Sequence, residues 1–270
     1  MSRLQKTFSN LNDRREGGLI AYVTAGDPHP SYTPRIARAL VTGGADIIEL
    51  GIPFSDPIAD GPTIQTATGR ALKSGTTPQK ALNIAEEIRE ETETPLVFLT
   101  YYNLIFKMGV ENFLNSAQNC GVDGIIVPDL PIEEAEEYKG IAQKHGIDTI
   151  FLAAPSTPSI RLRRIMEYTT GFLYLVSVFG VTGARKKLQN RTIELIKKTT
   201  PIIDEAVPLA VGFGISKPEH VEAVIESGAD AAIVGSGFVE IIEKQHRNEE
   251  KMLEDLKKYA SQLKKATIET

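Results

Sequence analysis

Four segments of the chain repeat one junction: GGADIIELG, CGVDGIIVPD, HGIDTIFLA and SGADAAIVG. Each places a glycine, one small or apolar residue, an aspartate and then a short apolar run. Glycine at a helix end adopts a left-handed conformation at no steric cost, so the chain can turn straight into a strand. Gly44, Gly121, Gly146 and Gly228 therefore predict four helix-to-strand turns of one type. Apolar runs of this kind number eight, at residues 18–26, 45–51, 95–101, 123–129, 148–154, 171–178, 208–214 and 229–236. They are brief and continuously apolar, as strands buried on both faces of a parallel sheet are. Amphipathic segments separate them. In residues 78–91, for example, Ala81, Leu82, Ile84, Ala85 and Ile88 share one side of a helix. This alternation predicts an α/β fold, a (β/α)8 TIM barrel with extra N-terminal and C-terminal helices, as a single domain over residues 1–270. The pattern alone also admits a doubly wound open sheet. The extra helices lie before Leu19 and after about Asn248, the second with Met252, Leu253, Leu256, Tyr259 and Leu263 at helical spacing.

Composition narrows the function classes. A net charge of −5 disfavours nucleic acid as a partner, because phosphate backbones are bound by a basic excess. No apolar run approaches the roughly 20 residues that cross a bilayer, and the first residues lack the apolar stretch of a signal peptide. Cys120 is the only cysteine, so no internal disulfide or CxxC motif exists. A cytoplasmic setting is expected.

In a barrel of this type, chemistry sits at the C-terminal ends of the strands. The last two strand candidates end in glycines, VGFGIS and VGSGF. Glycine lets backbone amides approach an anion, and a following helix start adds its dipole. Ser216 and Glu219 read as a cap and capping-box pair for the helix after the first of these turns. Gly214 and Gly235 would share one phosphate, with Gly183 from the loop 177–191 adding a third amide, the alternative being that both are only tight turns. That loop is long and glycine-bearing, as lids are. None of the eight strand candidates contains a lysine or a histidine, which disfavours Schiff-base and metal chemistry. Two carboxylates remain. Glu49 lies inside the apolar run Ile47–Leu50, where burial would raise its pKa toward the range of a general acid or base. Asp60 follows in the bend FSDPIADGP. Two carboxyls in different surroundings can divide acid–base labour. An internal ion pair for Glu49 and a capping role for Asp60 are the structural alternatives.

The stretch ELGIPFSDPIADGPTIQ resembles the signature of the tryptophan synthase α-subunit family. YVTAGDP, TYYNLIFKMG, VPDLPIEE, GVTGAR, VGFGIS and IVGSGF follow in that family's order, so the resemblance spans essentially the whole chain. It implies a (β/α)8 barrel that splits indole-3-glycerol phosphate into indole and glyceraldehyde 3-phosphate, a lyase reaction of tryptophan biosynthesis. By the same resemblance Glu49 shuttles protons between the glycerol hydroxyl and ring carbon 3, Asp60 stabilises the charged ring through its N–H, and Tyr174 assists. The phosphate is expected on Gly183, Gly214, Gly235 and Ser236, and the indole among Tyr22, Leu99, Ile126 and Ala153. Tyr22 and Ile126 depart from the phenylalanine and leucine common at these positions. Thr182 would be the lid residue that meets Asp60. The resemblance further implies a β-subunit partner in an α2β2 assembly, met around Pro53, Asp56 and Asn103. Pyridoxal phosphate belongs to that partner, and no cofactor or metal is expected in this chain. A free-standing lyase and a non-catalytic barrel that activates β are the other readings.

Overall fold

The structure is a computed structural model that describes residues 1–177, 185–203 and 207–268. Its strands are β1 (Gly18–Thr24), β2 (Ile47–Gly51), β3 (Leu96–Leu99), β4 (Gly124–Ile126), β5 (Asp148–Ile150), β6 (Leu152–Ala153), β7 (Leu173–Val176), β8 (Leu209–Gly212) and β9 (Ala231–Val234). They form one sheet in the order β5-β4-β3-β2-β1-β9-β8-β7-β6, and every pairing is parallel. The two ends of that order, β5 and β6, are separated in the chain only by Phe151. The sheet therefore closes on itself through residues 148–153. The first part of this stretch pairs with β4 and the second with β7, so one barrel position is split into two short segments. Eight strand positions alternating with helices make a TIM barrel, and the open doubly wound sheet is set aside.

The repeated junction has a common geometry. Gly44, Gly121, Gly146 and Gly228 have φ of +102°, +76°, +65° and +98°, the left-handed region that a side chain disfavours. The aspartates that follow do a second job at three of the four sites. Carboxylate oxygens of Asp46, Asp123 and Asp230 accept from the amides of Leu19, Leu96 and Leu209 at 2.8, 2.8 and 2.7 Å. Each satisfies an amide at the start of the neighbouring strand. Asp148 does not follow, and its buried Oδ2 has no hydrogen-bond partner among the described residues.

Alternation along the strands sorts side chains into two apolar layers. Ile20, Ile47, Val97, Ile126, Ile150, Ala210, Ala231 and Ile233 face inward. Leu19, Ile48, Leu50, Phe98, Ile125, Phe151 and Val211 face the surrounding helices. The N-terminal helix Arg3–Asp13 plugs the base of the barrel with Leu4, Phe8 and Leu11. Room for the plug comes from Gly18 and Gly124, where a Cβ would lie 3.1 and 3.0 Å from Leu11 and Leu4. The C-terminal helix Glu249–Lys265 buries Met252, Leu256, Ala260 and Leu263, with Leu253 and Tyr259 packed at its margin. The base is thus filled, and the opposite end is left for chemistry.

Two local expectations change. Residues 185–191, expected within a loop, belong to the helix Arg185–Ile203. The helix Pro218–Ile225 has Lys217, not Ser216, at its N-cap position, with no side-chain cap. Proline is preorganised for the first helical position, so Pro218 sets the start one residue later than the serine signal suggests.

Candidate active site

A cavity of about 410 Å³ opens at the C-terminal ends of the strands and brings together Tyr22, Glu49, Asp60, Leu99, Tyr174, Gly214, Gly235 and Ser236. Glu49 reaches it because β2 alternates: Ile48 and Leu50 point outward, which turns Glu49 inward beside Tyr22 of β1 and Val97 of β3. Glu49 is only 1% exposed. No ion pair explains the burial, and its Oε2 has no hydrogen-bond partner among the described residues. Burial, reinforced by the nearby Asp60, pushes its carboxyl up to about 8.

Asp60 hangs over the same space from the loop after β2. Its amide bonds back to the Pro57 carbonyl at 3.1 Å, and the helix Pro62–Lys73 begins directly beyond it. Gly61 occupies the N-cap position, so Asp60 is not that helix's cap. Partial burial raises Asp60 to about 6, while the Tyr101 hydroxyl holds it lower than burial alone would. Tyr101 was not among the expected site residues. Its hydroxyl also accepts from the Ala59 amide at 3.0 Å, and its ring packs on Phe54 at 5.3 Å between centroids. The available signal was its position two residues beyond inward-facing Leu99.

Two tyrosines lie across glycines of neighbouring strands. A Cβ at Gly51 would fall 2.3 Å from the Tyr22 hydroxyl, and one at Gly212 would fall 2.3 Å from the Tyr174 hydroxyl. Those glycines therefore set where the rings can rest. The Tyr22 hydroxyl shares a hydrogen bond with Thr24 at 3.2 Å. Tyr174 meets Phe213 edge-on at 6.2 Å. Burial, then the charge of Glu49, keeps the Tyr174 phenol well above its ordinary pKa, so it stays a proton donor to hydrogen bonds.

At the far side of the cavity, Phe213 and Gly214 have consecutive positive φ values of 69° and 76°. Gly235 is the N-cap of the helix Ser236–Gln245. A Cβ at Gly235 would crowd Tyr22 at 3.1 Å, so this glycine serves both the ring and the turn. Gly183 and Thr182 lie outside the described residues.

The expected indole wall is only partly assembled here. Tyr22 and Leu99 line the cavity. Ile126 sits inside the barrel, fully buried in the inner cluster, and is not on the cavity surface. Ala153 is corrected: it packs in the outer layer, and its neighbour Leu152 lies against the inner cluster. The shift follows from Phe151, which points outward and sets the alternation of the two residues after it. Ile64, Phe213, Ile215 and Ile233 supply further apolar lining. Of the expected partner contacts, Asp56 and Asn103 are exposed and Pro53 is buried. Ile58 and Phe106, on the same segments, are 82% and 69% exposed. Among the described residues, no group of three or more His, Cys, Asp or Glu could hold a metal ion, and no helix is long and apolar enough to cross a membrane.

Known proteins resemble this chain over nearly its full length. The family model described as "Tryptophan synthase alpha chain" matches residues 8–268. The tryptophan synthase alpha chain of Methanoregula boonei is 47% identical over 266 residues, covering 98% of each chain. That of Methanocaldococcus jannaschii is 48% identical, covering 95% of this chain and 90% of its own. Among solved structures, the α subunit from Legionella pneumophila superposes with a TM-score of 0.88 at 36% identity, covering 99% of this chain and 98% of that one. A chain from the α2β2 complex of Pyrococcus furiosus gives 0.86 at 48% identity, with 92% and 98% covered. With the sequence matched end to end and the barrel superposed, this chain belongs to the tryptophan synthase alpha chain family.

Proposed function

We propose that this chain cleaves indole-3-glycerol phosphate to indole and glyceraldehyde 3-phosphate by metal-free acid–base catalysis, as the α subunit of an α2β2 tryptophan synthase. The observation that carries the reading is a pair of carboxyls lining one cavity, Glu49 buried with an unpartnered oxygen and Asp60 on the loop beyond it, with burial raising the first to about 8 and the second to about 6. At neutral pH the first is mostly a neutral acid and the second mostly an anion. Glu49 delivers its proton to ring carbon 3, which places positive charge on the ring nitrogen. Asp60 accepts the ring N–H and stabilises that charge. The Glu49 carboxylate then takes the proton of the glycerol hydroxyl next to the ring. The carbon–carbon bond breaks as the aldehyde forms, and its electron pair neutralises the ring. One proton is given and one is taken, so Glu49 ends as it began. Tyr174 donates to oxygen on the glycerol chain. The phosphate rests on backbone amides at Gly214, Gly235 and Ser236. The ring lies among Tyr22, Leu99 and their apolar neighbours.

Indole passes to a β subunit whose pyridoxal phosphate joins it to serine. This chain carries no cofactor of its own. The P. furiosus neighbour was solved within an α2β2 complex, which supports a β partner. Its footprint is Asp56 and Asn103, extended by exposed Ile58 and Phe106.

The test is indole release from indole-3-glycerol phosphate by the purified chain, with and without a β subunit. Slow release alone and strong stimulation by β are expected, whereas fast release alone would identify a free-standing lyase. Glu49→Gln should lower the rate by about 10²–10⁴-fold, the usual range for losing a general acid–base group. A variant that kept a tenth of the parent rate would remove Glu49 from the proton path.

A further inference from the structure

The C-terminal helix Glu249–Lys265 lies outside the barrel wall, yet one of its polar side chains reaches beneath the glycine turns of the cavity. The Tyr259 hydroxyl donates to the Ser216 carbonyl at 2.7 Å. Its ring meets Phe238 edge-on, with centroids 5.0 Å apart. The same hydroxyl lies so near Gly237 that a Cβ there would be 2.2 Å away. One side chain therefore touches both the loop after β8 and the first turn of the helix after β9. These two segments carry Gly214 on one side and Gly235 with Ser236 on the other.

The loop after β8 needs holding. Phe213 and Gly214 are consecutive left-handed residues, and Phe213 is not a glycine. A non-glycine in that region is strained and persists only where its surroundings over-determine it. Three side chains grip the loop. The Ser177 hydroxyl donates to the Phe213 carbonyl. The Ser216 amide reaches His220 Nδ1 at a long 3.4 Å. Tyr259, at 2.7 Å, is the one of the three that comes from outside the strand–helix units that build this end of the cavity. Burial raises the Tyr259 phenol to about 12, which keeps the hydroxyl a donor across the working range.

We propose that Tyr259 is a positioning residue for the substrate phosphate: by joining Ser216 to the Gly237 turn, it fixes the spacing between the two backbone segments that receive the anion. This inference rests on the reading of Gly214, Gly235 and Ser236 as the phosphate site. Tyr259→Phe keeps the ring against Phe238 and removes only the hydroxyl. In the full-length chain, KM for indole-3-glycerol phosphate and the competitive inhibition constant for inorganic phosphate should rise together, by about three- to tenfold, the equivalent of one hydrogen bond. The kcat should stay within about twofold, and inhibition by indole, which lacks the anion, should not change. Gly237→Ala, which presses a methyl group onto the same hydroxyl, should raise the phosphate constant as well. If the parent is inhibited by phosphate but Tyr259→Phe leaves that constant unchanged, the positioning role is overturned even if the variant melts earlier. If inorganic phosphate does not compete in the parent, the phosphate site itself is wrong and this inference falls with it.

Discussion

A carboxyl oxygen without a partner inside a barrel weakens the fold that carries it, and Glu49 shows this at the scale of one residue. Its ordinary value of 4.5 rises to about 8 in the folded chain. Below pH 4.5 the group is protonated whether folded or unfolded, and it costs nothing. Between the two values only the unfolded chain ionises, so stability falls as pH rises. Above 8 the full penalty applies. Glu49→Gln, which cannot ionise, should therefore be more stable than the parent at pH 8.5, by on the order of 5 kcal/mol, with the difference vanishing toward pH 4.5. Urea unfolding at both pH values checks this. A difference independent of pH would show that the carboxyl is not strained in this way. The glutamate was legible in sequence because a charged residue interrupts an apolar strand. Tyr101 was not, because its link to Asp60 depends on how the loop after β2 folds back. Ala153 was misplaced because the outward turn of Phe151 cannot be read from an apolar run.

At the scale of elements, the helix Pro62–Lys73 holds Asp60 at its entrance and is itself pinned by Arg70. The Arg70 guanidinium grips Asp27 through two bonds of 2.7 and 2.8 Å and reaches Glu243 at 3.1 Å. Asp27 follows β1, and Glu243 lies on the helix Ser236–Gln245, so one side chain ties together three elements that surround the cavity. The Asp27 side chain is fully buried, and that of Arg70 is 21% exposed. Removing one partner of such a pair strands a buried charge, at a cost of about 3–5 kcal/mol. Arg70→Leu should thus lower the denaturation midpoint markedly. Adding Asp27→Asn should recover part of the loss. A single variant as stable as the parent would mean that water replaces the guanidinium. The strands were legible as short apolar runs and four helix-to-strand turns as Gly-x-Asp, whereas the split of residues 148–153 into two strands was not. The Arg70 bridge, spanning 43 positions to Asp27 and 173 to Glu243, leaves no local trace.

Across the whole molecule, the barrel is plugged at its base and open at its top, and two large apolar side chains stand exposed on segments beside the top. Ile58 and Phe106 stand there, on either side of Tyr101 in sequence. Tyr101 connects their segments: its hydroxyl takes the Ala59 amide, its ring packs on Phe54, and the helix Tyr102–Met108 starts at the next residue. A β subunit seated on these segments would press on the same tyrosine that tempers Asp60. Phe106→Asp should accordingly raise the β concentration needed for half-maximal stimulation of indole release by at least about tenfold, since a truncated aromatic anchor commonly costs 2 kcal/mol or more. A titration with β that superposes on the parent curve would place the partner elsewhere.

Read alone, the residues specify the alternation of strands and helices, the glycine turns that join them, and two acids, one in β2 and one on the loop after it. These follow from short-range physics: residue period, left-handed glycines and the cost of a carboxyl in an apolar run. Which wall residues reach the cavity, where the ring closes, and that Tyr259 of the helix Glu249–Lys265 braces a loop 43 positions earlier emerge only from the packed chain. Closing a sheet sets the register of every strand at once, and side-chain contacts across the closed barrel depend on that register rather than on neighbouring residues.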